Sequence, residues 1–173
     1  MMTSNIFLVG PMGAGKSAVG RQLAKSLGRK FYDSDKEIEK RTGVSISWIF
    51  EMEGEEGFRQ REHKILDELT KLNNIVLATG GGAVLDSENR RMLKSRGYVV
   101  YLSASIEQLM RRTSKDKKRP LLQTADPKQK IIELVTEREP LYKETATLEF
   151  RTGDKPIQYV VTHLVKKLKN LEH

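Results

Sequence analysis

Lys16 and Ser17 close the stretch Gly10-Pro11-Met12-Gly13-Ala14-Gly15-Lys16-Ser17, which satisfies the spacing G-x-x-x-x-G-K-[ST]. Each position in that pattern has a physical reason. Glycines let the backbone curl with its amides inward, so a row of N–H donors and the positive end of the following helix face one anion. Lys16 supplies a mobile cation for the outer phosphates, and Ser17 offers a hydroxyl to a magnesium ion. A polyphosphate is the expected guest, met by Gly13, Ala14, Gly15, Lys16, Ser17 and Ala18. A glycine-rich turn can spell this pattern by chance, but the flanks argue otherwise. Ile6 to Val9 is an apolar run that reads as a strand, and Ala18, Val19, Leu23 and Leu27 recur at helical spacing.

A magnesium ion beside Ser17 needs a carboxylate. Lys30-Phe31-Tyr32 runs into Asp33-Ser34-Asp35, placing two acids at the mouth of a strand, where open α/β sheets hold their ligands. We assign Asp33 to the metal, through water because magnesium gives up its hydration reluctantly. Asp35 is then left to face a hydroxylated acceptor. Both acids also suit a helix N-terminus, and capping stands as the alternative role. Arg59 and Glu62 lie three residues apart, on one helical face, so Glu62 could orient the guanidinium for bidentate capture of a substrate carboxylate. The alternative is a surface ion pair of little energetic worth. Gly80-Gly81-Gly82 follows the apolar run Ile75 to Thr79. Three glycines at the end of a strand cost backbone entropy unless something must approach closely, and a ligand lying on bare amides is that something.

Composition narrows the field. At 173 residues, with 38% hydrophobic and 31% charged, the chain suits one globular domain over 1–170. The absence of cysteine removes disulfides, thiolate zinc sites and thiol catalysis together, and His63, His163 and His173 show no ligand spacing. The formal net charge is +8, much of it in Lys115 to Arg119 and Lys166 to Lys169. The second cluster lies opposite an apolar stripe of Val161, Leu164, Val165 and Leu168, so it reads as a solvated helix face, with RNA binding the lesser alternative. No apolar run reaches membrane-spanning length, and the N-terminus lacks a secretory layout. We expect a cytoplasmic monomer acting on a small molecule, with no nucleic acid and no membrane as partner. Leu171-Glu172-His173 resembles the start of a vector-derived tail.

The remaining elements must carry these groups. Helix is expected over 17–27, stopped by Gly28, and from Ser34, capped by a Ser34–Glu37 box, to Gly43. A helical pattern over 44–52 resumes through Ile65, Leu66, Leu69 and Leu72. Further helices are expected over 87–96, 106–112 and 157–168, with another resuming over 131–136 and ending near Arg138 to Tyr142, and strands over 75–79, 98–102 and 148–150. The basic, proline-containing segment 113–126 has no periodicity and reads as a lid, from which Arg119 could swing over the transferring phosphoryl group.

Taken together, the sequence resembles the shikimate kinase family along essentially its whole length. The resemblance rests on the phosphate loop, the Asp33-Ser34-Asp35 pair, Phe58-Arg59-x-x-Glu62, Gly80-Gly81-Gly82, Arg119-Pro120-Leu121-Leu122, and Arg138-x-Pro140-Leu141-Tyr142. Ser34 stands where many members carry threonine. The resemblance implies a three-layer α/β/α P-loop kinase fold. Its parallel sheet would have five strands in the order 2-3-1-4-5, with a substrate-binding helical segment over 33–62 and a mobile lid. It implies transfer of the ATP γ-phosphate to the 3-hydroxyl of shikimate. Shikimate would meet Asp35 at its hydroxyls, Arg59 and Arg138 at its carboxylate, the backbone of Gly80, Gly81 and Gly82, and Phe50 and Phe58 on its apolar side. Lys16 and Arg119 would serve the phosphates and Ser17 and Asp33 the Mg2+. Arg112 and Pro156 would enclose adenine, with Arg151 a further contact.

Overall fold

The computed structural model describes residues 4–114 and 124–172. The segment 115–123, with Arg119 and most of the expected lid, lies outside them. Five strands, β1 (Asn5–Val9), β2 (Lys30–Asp33), β3 (Ile75–Ala78), β4 (Gly97–Ser103) and β5 (Leu148–Arg151), form one sheet in the order β2-β3-β1-β4-β5. Every pairing is parallel, and the order is the expected 2-3-1-4-5.

Alternation along β1 shows why the sheet is covered on both faces. Ile6 and Leu8 point into a cluster with Val19, Leu23 and Ala24 of α1 (Lys16–Leu27), Leu109 of α5 (Ile106–Thr113), and Val160, Val161 and Leu164 of α7 (Ile157–Leu171). Phe7 and Val9 point the other way, towards Ile38 of α2 (Ser34–Thr42), Phe58, Ile65 and Leu66 of α3 (Ile46–Thr70), and Met92 and Leu93 of α4 (Ser87–Arg96). Because both faces are buried, the central strands are continuous apolar runs. Helix α6 (Pro127–Thr145) contributes to both sides, with Ile131 and Leu134 in one cluster and Tyr142 in the other.

Four local expectations are revised. Asp33, not Ser34, caps α2: its carboxylate accepts from the backbone N–H of Asp35 and of Lys36. The helical pattern of 46–70 is broken at Gly54, where φ 74 and ψ 179 leave the helical region. A 3-10 turn over Ala83–Leu85 follows the glycines. Helix α6 begins at Pro127, ahead of the expected start, and continues through Pro140 to Thr145, past the end expected near Arg138 to Tyr142, because Arg138 and Tyr142 on its later turns are locked into the interior. Tertiary burial here outweighs the lost backbone donor.

Parallel pairing brings the useful ends together. Leu8 of β1 and Asp33 of β2 both pair with Ala78 of β3. The phosphate loop, the two acids and the glycine triplet therefore emerge side by side from the carboxyl edge of the sheet.

Candidate active site

The phosphate loop curls as its glycines permit. Gly10, at φ 146, lies so close to β4 that a Cβ would stand 2.3 Å from the carbonyl oxygen of Leu102. Gly15, at φ 95, caps α1 without a side chain, so the first amides of the helix stay open to an anion. Lys16 is buried and donates to the carbonyls of Gly10 at 2.6 Å and Pro11 at 2.8 Å.

Asp33 does two things at once. One carboxylate oxygen caps α2, and the other accepts from Ser17 Oγ at 2.5 Å. Capping and metal binding are thus compatible in one side chain. Ser34 is fully buried, and its hydroxyl receives the N–H of Gly80 at 3.2 Å. Asp35, in the first turn of α2, projects towards Gly80.

The triplet is bare because charged side chains crowd it. A Cβ on Gly80 would sit 2.9 Å from both Asp35 Oδ1 and Glu62 Oε2, and one on Gly82 would sit 2.3 Å from Arg59 Nη2. On Gly81 it would lie 3.4 Å from the Met12 N–H and 3.6 Å from Arg138 Nη1. The triplet's bareness therefore reflects close approach rather than unusual dihedrals: none of the three has positive φ.

Arg59 and Glu62 form an interior ion pair. The Glu62 side chain is 1% exposed and its Oε1 receives Arg59 Nη1 at 2.9 Å, while Glu55 Oε2 receives Nε and Nη2 from the other side. Burial pushes the Glu62 carboxyl up to about 7, with Asp35 adding to the rise and Arg59 and Arg138 opposing it. Burial would lower Arg59, but Glu62 and Glu55 outweigh it and raise the guanidinium above its ordinary value. Arg138 is 3% exposed. Its Nε and the Oε2 of Glu62 are buried with no hydrogen-bond partner among the described residues, which marks space meant for a polar guest. Phe50 and Phe58 meet in a tilted arrangement, ring centroids 4.9 Å apart, and supply an apolar wall.

These groups line one cleft of about 400 Å³ that runs from Gly13, Gly15, Lys16, Ser17 and Ala18 past Asp33 and Asp35 to Arg59, Glu62, Gly80, Gly81, Gly82 and Arg138. Ala14 does not line it; it is buried beneath the loop. Arg112 is at the far end, where it donates to the carbonyls of Gly13 at 3.0 Å and Gly153 at 2.7 Å. Arg151, which ends β5, and Pro156, which precedes α7, are exposed and outside the cleft. Arg119 falls outside the described residues. Sequence reasoning passed over Lys36, Glu39 and Ile46, which also line the cleft, and the bond from Tyr142 to Gly81. Only their proximity to Asp35 and Arg138 in the chain hinted at them.

Comparison with known proteins follows the same line. A family model described as shikimate kinase matches residues 12–169. The shikimate kinase of Nitrosococcus oceani is 59% identical over 98% of this chain and 89% of its own length. The structure of shikimate kinase from Acinetobacter baumannii in complex with shikimate is 50% identical, with a TM-score of 0.95 over 96% of this chain and 93% of that one. A gluconokinase from Sinorhizobium meliloti, 16% identical with a TM-score of 0.59 over 97% of this chain and 93% of its own, shares the fold alone. By its match to the family model and to these relatives, the chain belongs to the shikimate kinase family.

Proposed function

We propose that this chain transfers the γ-phosphoryl group of ATP to the 3-hydroxyl of shikimate, giving shikimate 3-phosphate and ADP on the route to chorismate and the aromatic amino acids. One cleft that joins an anion-binding loop to Asp35, Arg59 and Arg138 is the observation that carries this reading. Two guanidiniums and a carboxylate suit a hydroxylated acid, whereas a nucleobase acceptor would need flat apolar walls and amide readout.

Phosphoryl transfer asks mainly for alignment and charge neutralisation. An incoming phosphate would compete with the Gly10 and Pro11 carbonyls for the Lys16 ammonium. The adjacent oxygens of Ser17 and Asp33 fit magnesium, a hard cation that takes oxygen ligands and keeps much of its water. Ser17 would hold it directly and Asp33 through water. When bound, the ion would neutralise charge on the β- and γ-phosphates. Asp35 would orient the 3-hydroxyl and accept its proton as that oxygen attacks phosphorus. Arg59 and Arg138 would hold the carboxylate, Gly81 and Gly82 would offer backbone, and Phe50 and Phe58 would flank the ring. Arg119 would serve the phosphates from the lid. Arg112, Pro156 and Arg151 would border adenine, a role supported by the bonds from Arg112 to the phosphate loop and to Gly153. A monomer working in the cytoplasm completes this reading.

A coupled ADP-release assay tests it. Release is expected to depend on shikimate and to stay at background with gluconate or AMP. Equal release with and without shikimate would overturn the assignment.

A further inference from the structure

Tyr142 sits one helical turn after Arg138 on α6. Among the described residues it is the largest fully buried side chain, with its ring 5.0 Å from that of Tyr101. Its hydroxyl donates a 2.6 Å hydrogen bond to the carbonyl of Gly81. Ring packing alone does not require that oxygen, since phenylalanine would fill the same volume, and a buried phenol is tolerated where it has a partner. Burial raises the phenol above its ordinary pKa, with the Arg138 cation acting in the opposite sense, so it remains a donor.

The rest of the glycine turn is pinned in the same way. Gly80 donates its N–H to Ser34 Oγ at 3.2 Å, Asn89 Nδ2 donates to the Ala83 carbonyl at 3.0 Å, and Arg90 Nη1 donates to the Val84 carbonyl at 2.7 Å. Ser34, Asn89, Arg90 and Tyr142 are all absent from the residues that line the cleft. Gly81 lies between the phosphate loop and Arg138, where a small rotation of its peptide would carry it towards either. Helix α6 thus presents Arg138 to the cleft and, one turn on, holds the peptide opposite.

We propose that Tyr142 is a positioning residue for the acceptor's carboxylate: its hydroxyl fixes the Gly81 peptide against α6, so that the Gly81–Gly82 backbone and the Arg138 guanidinium meet the carboxylate as a preformed pair. This rests on the functional reading of the cleft given above. Preorganisation of this kind acts on binding, because a loop that is already ordered loses less freedom when the ligand arrives.

The test compares the wild type and Tyr142→Phe, with shikimate and its methyl ester, by steady-state kinetics, isothermal titration and thermal melting. In the variant the KM and Kd for shikimate are expected to rise about five- to tenfold while the KM for ATP moves by less than about twofold. The ester, which lacks the carboxylate charge, should lose little further. A wild-type KM for shikimate, equal losses for acid and ester, or a collapse of Tm would each make the phenol a packing residue only and overturn the proposal. Absence of shikimate turnover by the wild type would instead sink the functional reading, and this inference with it.

Discussion

Asp35 and Glu62 are two carboxylates given different work by their surroundings. Both approach the same point above Gly80, and Glu62 is clamped to the Arg59 guanidinium. Asp35→Asn should abolish shikimate-dependent turnover while ATP binding, measured by titration, stays largely intact; near-normal turnover would remove Asp35 from the chemistry. Glu62 binds its proton more tightly in the folded chain than in the unfolded one, since burial lifts it from 4.5 to about 7. Its contribution to stability is therefore complete below the unfolded value and is lost as pH rises through that window, a loss of about 3 kcal/mol by linkage. Glu62→Gln should flatten the fall in stability between those pH values, measured by denaturant unfolding. An unchanged pH profile would show that another group titrates there. The buried ion pair is thus a device for holding Arg59 rather than a source of stability.

Helix α3 shows how one element carries several contacts. Its first part carries Ile46 and Phe50, and its second carries Phe58, Arg59 and Glu62, with the break at Gly54 between them. Glu53 and Arg61 bridge that break through two hydrogen bonds of 2.9 and 2.8 Å, and Phe50 meets Phe58 across it. The backbone at Gly54 falls in a region that only glycine occupies freely, although nothing crowds a Cβ there. Gly54→Ala should therefore cost about 1–3 kcal/mol through strain alone. It should also raise the KM for shikimate more than the KM for ATP. Wild-type stability together with wild-type kinetics would show that the break is incidental.

At the scale of the molecule, the sheet brings two binding functions to one edge, so both ligands should stabilise the same folded unit. Shikimate or a non-hydrolysable ATP analogue, at about a hundred times its Kd, should add about 3 kcal/mol. That corresponds to a rise in Tm of about 5–10 °C, against no shift with gluconate. A chain that melts at the same temperature with and without shikimate would have no site for it. The net charge of +8 favours encounter with anionic substrates, an advantage that salt screens.

The sequence by itself determined the phosphate loop, the order of strands and helices, and the pairing of Asp33 with Asp35, because local spacing and apolar periodicity carry those features directly. It also pointed to Arg59 and Glu62 as a pair, but left open whether they were a surface bridge. Only tertiary packing decided that Glu62 is buried, since its interior position depends on helix α3 joining the apolar cluster with Phe7, Val9, Ile75 and Leu77. The same holds for Asp33, whose two oxygens serve helix and serine together, and for Gly80 to Gly82, whose bareness reflects Asp35, Glu62 and Arg59 arriving from distant segments. That α6 continues unbroken past Pro140 to Thr145 escaped local reading because proline argues for a stop, while the burial of Arg138 and Tyr142 on either side of it comes from contacts remote in sequence. Periodicity is written in neighbours along the chain; burial and convergence are set by neighbours in space.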